Sequence, residues 1–109
     1  MYISVTAFKV SKWWSLPLFQ WRAALSFMQA NKSLGIITKE NWQQEKRVFC
    51  TLTTWETKAD MLRFRNSGAH LKAMQISAKL GHGITYGWEA NQKPTIEIAY
   101  RRLLENKQL

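Results

Sequence analysis

The sequence predicts an α+β fold in which an antiparallel sheet carries helices in the order β-α-β-β-α-β, followed by a C-terminal helix. Residues 2–10 and 47–55 alternate in polarity with the period of a β-strand. Two longer stretches repeat apolar residues with the period of a helix and are each followed by glycine. This order matches the ferredoxin-like arrangement, in which helices cover one face of the sheet.

Length and composition indicate one domain, residues 1–109. A compact domain most often holds about 100–150 residues, and 46% apolar residues supply a core. The longest uncharged runs are shorter than a bilayer requires, so we expect no membrane span. The single cysteine, Cys50, forms no internal disulfide, and no secretory segment is recognisable, so we expect a cytoplasmic protein.

The formal net charge is +9, from 16 Lys and Arg against 7 Asp and Glu. Such a surplus suits anionic partners, namely an acidic ligand, an acidic membrane surface or a nucleic acid. The densest basic groups are only pairs, Lys46-Arg47 and Arg101-Arg102, whereas basic arms carry runs of five or six like charges. We therefore expect a solvated basic surface and no nucleic-acid partner.

The strands have one apolar and one semi-polar side. In the first strand Ile3, Val5 and Ala7 share a side, and the third strand repeats this division. If the apolar side packs against helices, the other side needs a semi-polar cover, and it carries aromatic residues together with Ser4, Thr6, Thr51 and Thr53. The pattern predicts either a pocket or a dimer interface there.

Capping and turn signals define the other elements. Ser15 caps a first helix that has Pro17 in its first turn and ends before Gly35. The remaining predicted elements are a strand at 36–42, a turn at 43–46, a strand at 84–89, a loop at 91–94 and a helix from residue 96.

Residues 55–74, WETKADMLRFRNSGAHLKAM, form the most informative segment. Thr57 begins a helix, with Asp60 in the capping-box position. Asn-Ser-Gly at 66–68 interrupts this helix and its serine caps the continuation, which places His70 in the first turn after the break. The helix dipole favours neutral imidazole there, suited to proton abstraction or to hydrogen bonding a carbonyl. The alternative is that His70 fastens the break to a strand.

A strand ending in Trp-Glu, a capped helix with Met-Leu-x-Phe and then Ser-Gly-Ala-His-Leu-Lys-Ala-Met resemble the dimeric α/β-barrel superfamily. Within it, the chain is most similar to uncharacterised small proteins related to spheroidene monooxygenase and, more remotely, to antibiotic-biosynthesis monooxygenases. The resemblance implies a homodimer whose sheets meet face to face, with a cleft between sheet and helices in each protomer. It also implies oxidation or degradation of small aromatic or polyene molecules, without a cofactor in some relatives and with haem in others.

The residues argue for no cofactor, with haem as the alternative. Met74 occupies the place of the haem-ligating histidine in haem-degrading relatives, and a helical methionine is usually a core residue. His70 is the other candidate iron ligand. Two widely separated histidines and one cysteine do not form a zinc cluster, and no dinucleotide, phosphate-loop or triad motif is present.

The residues that we expect to bind a ligand carry aromatic or hydroxyl groups: Trp55, Phe64, Trp88, Thr53 and Trp14. Trp55, Phe64 and Trp88 would line a hydrophobic cleft beside His70, although core packing is the alternative. The Trp13-Trp14 pair precedes the first helix and predicts a lid or a partner contact. No chemical role is expected for His82 in a surface loop, for Cys50 without an adjacent base, or for Arg63 and Arg65 on the solvated side of a helix.

Two functional hypotheses follow. The first is a cytoplasmic homodimer that binds a small hydrophobic or aromatic molecule near His70 and catalyses a monooxygenase-like reaction. The second is a non-enzymatic interaction module whose basic surface recruits an acidic partner, with the tryptophans in its core and interface. Salt separates them, because electrostatic association weakens with ionic strength whereas binding in an apolar cleft does not.

Overall fold

The computed structural model describes residues 1–11, 16–66 and 68–107. Over these residues the elements are β1 (Tyr2–Val10), α1 (Leu16–Asn31), β2 (Ile36–Glu45), β3 (Val48–Trp55), α2 (Lys58–Arg65), α3 (Gly68–Leu80), β4 (Gly81–Glu89) and α4 (Ile96–Asn106). The predicted order is confirmed, with the second helix divided into α2 and α3. None of the described helices is both long enough and apolar enough to cross a membrane.

The strands form one antiparallel sheet in the order β2-β3-β1-β4. On central strand β1, Tyr2 lies opposite Trp55 of β3 and opposite Glu89 of β4. The β2–β3 hairpin therefore joins strands that run in opposite directions, whereas each helical crossover, from β1 to β2 and from β3 to β4, joins non-adjacent strands that run in the same direction, as the ferredoxin-like unit requires. The α+β prediction is confirmed.

Strand β4 begins earlier than the sequence predicts. Gly81 pairs with Val10, and a side chain at Gly81 would collide with the carbonyl of Lys9, so glycine permits the close approach of the two backbones. His82 consequently lies in β4 opposite Lys9, and its predicted position in a loop is wrong. It is exposed, as expected.

The two sides of the sheet are covered by different helices. Helix α4, capped by Thr95, packs Ala99 and Leu103 against the apolar side. That side is fully packed, with Ile3, Val5, Ala7, Val48, Cys50 and Leu52 each at most 2% exposed. Helices α1, α2 and α3 cover the semi-polar side. Because three helices cover the semi-polar side, a pocket is the alternative that fits there, and a dimer interface is not.

The break between α2 and α3 has a backbone cause. Thr57 Oγ1 accepts a hydrogen bond from the Asp60 amide at the start of α2, and Asn66 ends that helix. Gly68 starts α3 with φ at +60°, in the left-handed region that favours glycine. Gln29 of α1 lies against Gly68, and its Nε2 donates to the Phe64 carbonyl over 3.3 Å, so α1 holds the break in place.

Candidate functional site

A cavity of about 730 Å³ lies between the semi-polar side of the sheet and helices α1–α3. Small hydroxyl side chains on this side fill less volume than the aliphatic residues on the opposite side, so the helices above them leave space. The sheet contributes Ser4, Thr6, Phe8, Phe49, Thr51, Thr53, Trp55 and Thr85. The helices contribute Ala23, Ala24, Ser26, Ala30, Met61, Phe64, Arg65 and Met74.

A row of three hydroxyls crosses the sheet floor of the cavity. Strand register places Thr6 between Thr51 and Thr85. Thr85 Oγ1 donates to the Val5 carbonyl over 3.2 Å, so Thr6 supplies the proton in the 3.0 Å contact between the two hydroxyls. A chain of short polar side chains of this kind presents donors and acceptors to an oxygen-bearing ligand.

Aromatic side chains close one end of the cavity. The Trp55 and Phe64 rings lie 5.2 Å apart between centroids, and Trp55 is fully buried. Trp55 Nε1 donates to Thr53 Oγ1 over 2.9 Å, while Thr53 Oγ1 donates to the Ser4 carbonyl over 3.4 Å. The indole N–H is therefore satisfied within the protein, and fully buried Trp55 backs the Phe64 ring, which is 8% exposed, at this end of the cavity.

Arg65 brings a positive charge to the cavity, although its sequence position predicted a solvated role. It is half-buried at the end of α2 and lines the cavity together with Met61 and Phe64. Spacings of three and four residues from Met61 place all three on one side of the helix, a signal that the sequence contained. Among the described cavity-lining residues, Arg65 is the charged side chain and none is Asp or Glu.

Trp88 does not line this cavity, and its predicted grouping with Trp55 is wrong. Trp88 lies opposite Ile3, whereas Trp55 lies opposite Tyr2, and successive residues of β1 point to opposite sides of the sheet. Trp88 packs against the apolar core instead, with the Arg102 guanidinium 4.9 Å from its ring centroid.

No protein-family model and no curated protein matches this sequence, but solved structures do match the fold. A candidate antibiotic biosynthesis monooxygenase from Nitrosomonas europaea has a TM-score of 0.75 at 14% identity, covering 84% of this chain and 100% of that one. SnoaB, a cofactor-independent oxygenase from Streptomyces nogalater, has a TM-score of 0.70 at 13% identity, covering 84% of this chain and 94% of that one. A candidate antibiotic biosynthesis monooxygenase from Deinococcus radiodurans has a TM-score of 0.72 at 15% identity, covering 88% of this chain and 98% of that one.

The chain has the antibiotic-biosynthesis-monooxygenase fold. The predicted fold is confirmed, while membership of the dimeric α/β-barrel superfamily and a closer similarity to spheroidene-monooxygenase-like proteins stay predictions. Since one fold hosts many functions, the chemistry has to be argued from the cavity itself.

Three predictions concern side chains that the structure does not describe. The backbone of His70 lies in the first turn of α3, as predicted, and its side chain is outside the description. Trp14, its neighbour Trp13 and the capping serines Ser15 and Ser67 are outside the described residues. The roles of His70 and Trp14 stay predictions.

The described residues give haem little to bind. Met74 lines the cavity, but a thioether holds haem iron in proteins as the partner of a histidine. Cys50 pairs with Ala7 in the apolar core and is 1% exposed, and burial raises the pKa of its thiol to about 11. A buried neutral thiol is neither a nucleophile nor a metal ligand. Among the described residues, no group of three or more His, Cys, Asp or Glu is placed to hold a metal ion.

Proposed function

We propose that the protein is a homodimeric, monooxygenase-like enzyme that binds a small hydroxylated aromatic molecule in the cavity between the sheet and helices α1–α3. The observation that carries the proposal is the composition of this cavity: an aromatic end, a row of hydroxyls and one arginine without a carboxylate. The fold supports it, because one structural neighbour is described as a cofactor-independent oxygenase. The homodimer is proposed from the resemblance to the α/β-barrel superfamily, although helices cover both sides of the sheet here, so its subunits would not meet through bare sheet faces.

The cavity chemistry favours an anionic aromatic ligand. Phe64, backed by buried Trp55, offers an apolar ring surface, and the Thr6 row offers hydrogen bonds to an oxygen substituent. The positive charge of Arg65 stabilises a phenolate relative to the phenol, which lowers the pKa of a bound phenol. A phenolate is more easily oxidised than a phenol, so the same charge prepares the ligand for reaction with O₂.

A balanced reaction of this kind converts a phenol and O₂ into a quinone and water. One oxygen atom forms a new C=O bond at a ring carbon that loses its hydrogen, and the other leaves as water with two protons. All the electrons come from the phenol, so no further reductant is required. His70 is the proposed base that accepts the phenolic proton, in keeping with its residue type and its place at the start of α3.

Binding of 1-naphthol and of naphthalene, followed by tryptophan fluorescence, tests the ligand class. We expect the wild type to bind 1-naphthol more tightly than naphthalene. Arg65→Gln should weaken 1-naphthol binding by about ten-fold, because it removes one charge-assisted contact, and should thereby lose the preference. Arg63→Gln is the matched control, because Arg63 is exposed two positions away and its Nη1 bonds Asp60 over 3.0 Å. Equal binding of both compounds to all three proteins contradicts the proposal.

Oxygen uptake tests the reaction separately. We expect uptake and quinone absorbance with hydroxynaphthalenes, and their loss in His70→Ala with 1-naphthol binding retained. If no aromatic or polyene compound binds, and His70→Ala equals the wild type in binding and oxygen uptake, both the ligand assigned to the cavity and the catalytic role of His70 are contradicted.

A further inference from the structure

Helix α1 exposes an apolar stripe on the side that faces away from the cavity. Leu18, Trp21 and Met28 are 43%, 59% and 57% exposed. Their spacings of three and seven residues place them on one side of the helix, whereas Ala23 and Ala30 line the cavity from the other side. The stripe packs against nothing within the described chain that would bury it.

The neighbouring helix α3 extends this surface with apolar and basic residues. Leu71 is 37% exposed, and Lys72 and Lys79 of the same helix are exposed. Helix α1 adds half-buried Arg22 next to the stripe and is followed by exposed Lys32. The ion pairs found between described residues involve none of these four basic side chains.

Acidic residues are segregated away from this surface. All seven Asp and Glu lie within residues 40–60 and 89–105. Neither α1 nor α3 contains one. The outer surface formed by helices α1 and α3 therefore combines exposed aliphatic and indole groups with positive charge alone, in a chain whose net charge is +9.

We propose that the outer surface formed by helices α1 and α3 docks the protein on an anionic phospholipid surface. Apolar side chains and tryptophan insert at the boundary between headgroups and acyl chains, and lysine and arginine meet the negative headgroups. A nucleic acid would match the charge but not the Leu18–Met28 stripe, because its interfaces are polar. This proposal rests on the outer surface and is independent of the reaction proposed for the cavity.

Co-sedimentation with phosphatidylcholine vesicles, with and without phosphatidylglycerol, tests the docking. We expect binding only when phosphatidylglycerol is present, weakening steeply between low and moderate ionic strength. Lys72→Glu/Lys79→Glu should lower the partition coefficient on the order of thirty-fold or more, given the usual contribution of each basic residue near an anionic surface.

The control pair is Arg101→Glu/Lys107→Glu on and after α4, which lowers the net charge by the same four units, from +9 to +5. Both control residues are exposed, and α4 lies on the opposite side of the sheet. We expect this pair to bind vesicles almost as well as the wild type. Equal losses in the two pairs would show that net charge alone attracts the protein, and would overturn the docking surface.

The apolar stripe is tested by Trp21→Ser against Leu104→Ser, a change at an α4 residue that is 44% exposed. We expect roughly ten-fold or greater weakening for Trp21→Ser only, from the loss of one inserted indole. Circular dichroism checks that every variant is folded. Absence of vesicle binding, or binding to RNA or to polyglutamate in its place, assigns the surface to another class of partner and overturns the proposal.

Discussion

The two sides of the sheet are packed differently, although alternating residues of the same strands form both. Against α4, side chains such as Ile3, Leu52 and Leu103 are wholly buried and leave no large space. Against α1–α3, threonine and serine alternate with those residues, and about 730 Å³ stays open. The α4 side is therefore expected to provide stability, and the cavity side ligand binding.

This division arises from side-chain volume at alternating positions. Branched and aliphatic residues at positions 3, 5 and 7 fill the space beneath one helix, whereas residues 4 and 6 are too small to fill the space beneath three. Close packing is worth more free energy than a row of partly satisfied hydroxyls. Substitutions on the two sides should separate stability from binding.

The largest expected effect is Leu103→Ala, on the α4 side. Leu103 is fully buried, so truncation leaves a cavity in the packed core and should lower the free energy of unfolding by about 2–5 kcal/mol. The matched control is Leu104→Ala, at the next position along the helix. Leu104 is 44% exposed, so its truncation should lower the free energy of unfolding by roughly 0.5 kcal/mol or less. Urea unfolding measures both, and similar losses would contradict the packing described here.

An alkaline loss of stability should also originate on the α4 side. Burial raises the pKa of the Cys50 thiol from 9.0 to about 11, so between these values the folded protein holds a proton that the unfolded chain releases. The stabilising contribution is complete below 9.0 and is lost as the pH rises through about 11, by roughly 3 kcal/mol.

The measurement is the free energy of unfolding of wild type minus that of Cys50→Ala, taken below pH 9.0 and again near pH 11. Subtraction is needed because burial also raises the pKa of Tyr2 and of Tyr100. For Tyr100, Cys50 and Glu45 add to the effect of burial. A difference that does not change with pH would contradict the buried thiol.

On the cavity side, hydroxyl changes should have smaller effects. Thr6→Val removes one hydrogen bond and should cost about 1 kcal/mol. Thr85→Val should cost more, because Thr85 Oγ1 also donates to the Val5 carbonyl. Urea unfolding ranks the two variants, and a larger loss for Thr6→Val would show that the proton in the Thr6–Thr85 contact is arranged otherwise.

The smallest effect on stability should come from Thr51→Leu, which places a larger side chain in open space. We expect a change in the free energy of unfolding within about 1 kcal/mol, with weaker 1-naphthol binding because the substitution removes one hydroxyl of the row and narrows the cavity. Ala7→Leu enlarges a side chain on the packed side, where overpacking costs about 1–3 kcal/mol. Thermal unfolding and fluorescence titration together show whether the two sides respond oppositely.

Much of the cavity was predictable because strand alternation and helix spacing are local. Alternation placed Thr53 and Trp55 on the semi-polar side, and both line the cavity with Phe64. The same alternation predicts Thr85, which also lines the cavity. Helix spacing from Met61 also predicts Arg65, although a charged residue near a helix end is usually solvated.

Trp88 shows where local patterns end. Alternation within β4 groups Trp88 with Tyr86, but it does not say whether that group faces the same helices as Trp55. The answer depends on the register between β4 and β1, in which Trp88 pairs with Ile3. A shift of one residue would have turned Trp88 toward the cavity.

The sequence by itself determined the order of the elements, the two-sided character of the strands and the break at Gly68, because each depends on neighbouring residues. Only the tertiary structure decided that α4 fills one side, that three helices leave a cavity on the other, and that Arg65 lines that cavity. These features depend on strand register and on the distance between helix and sheet. Contacts between residues distant in the chain set both, and no local pattern encodes them.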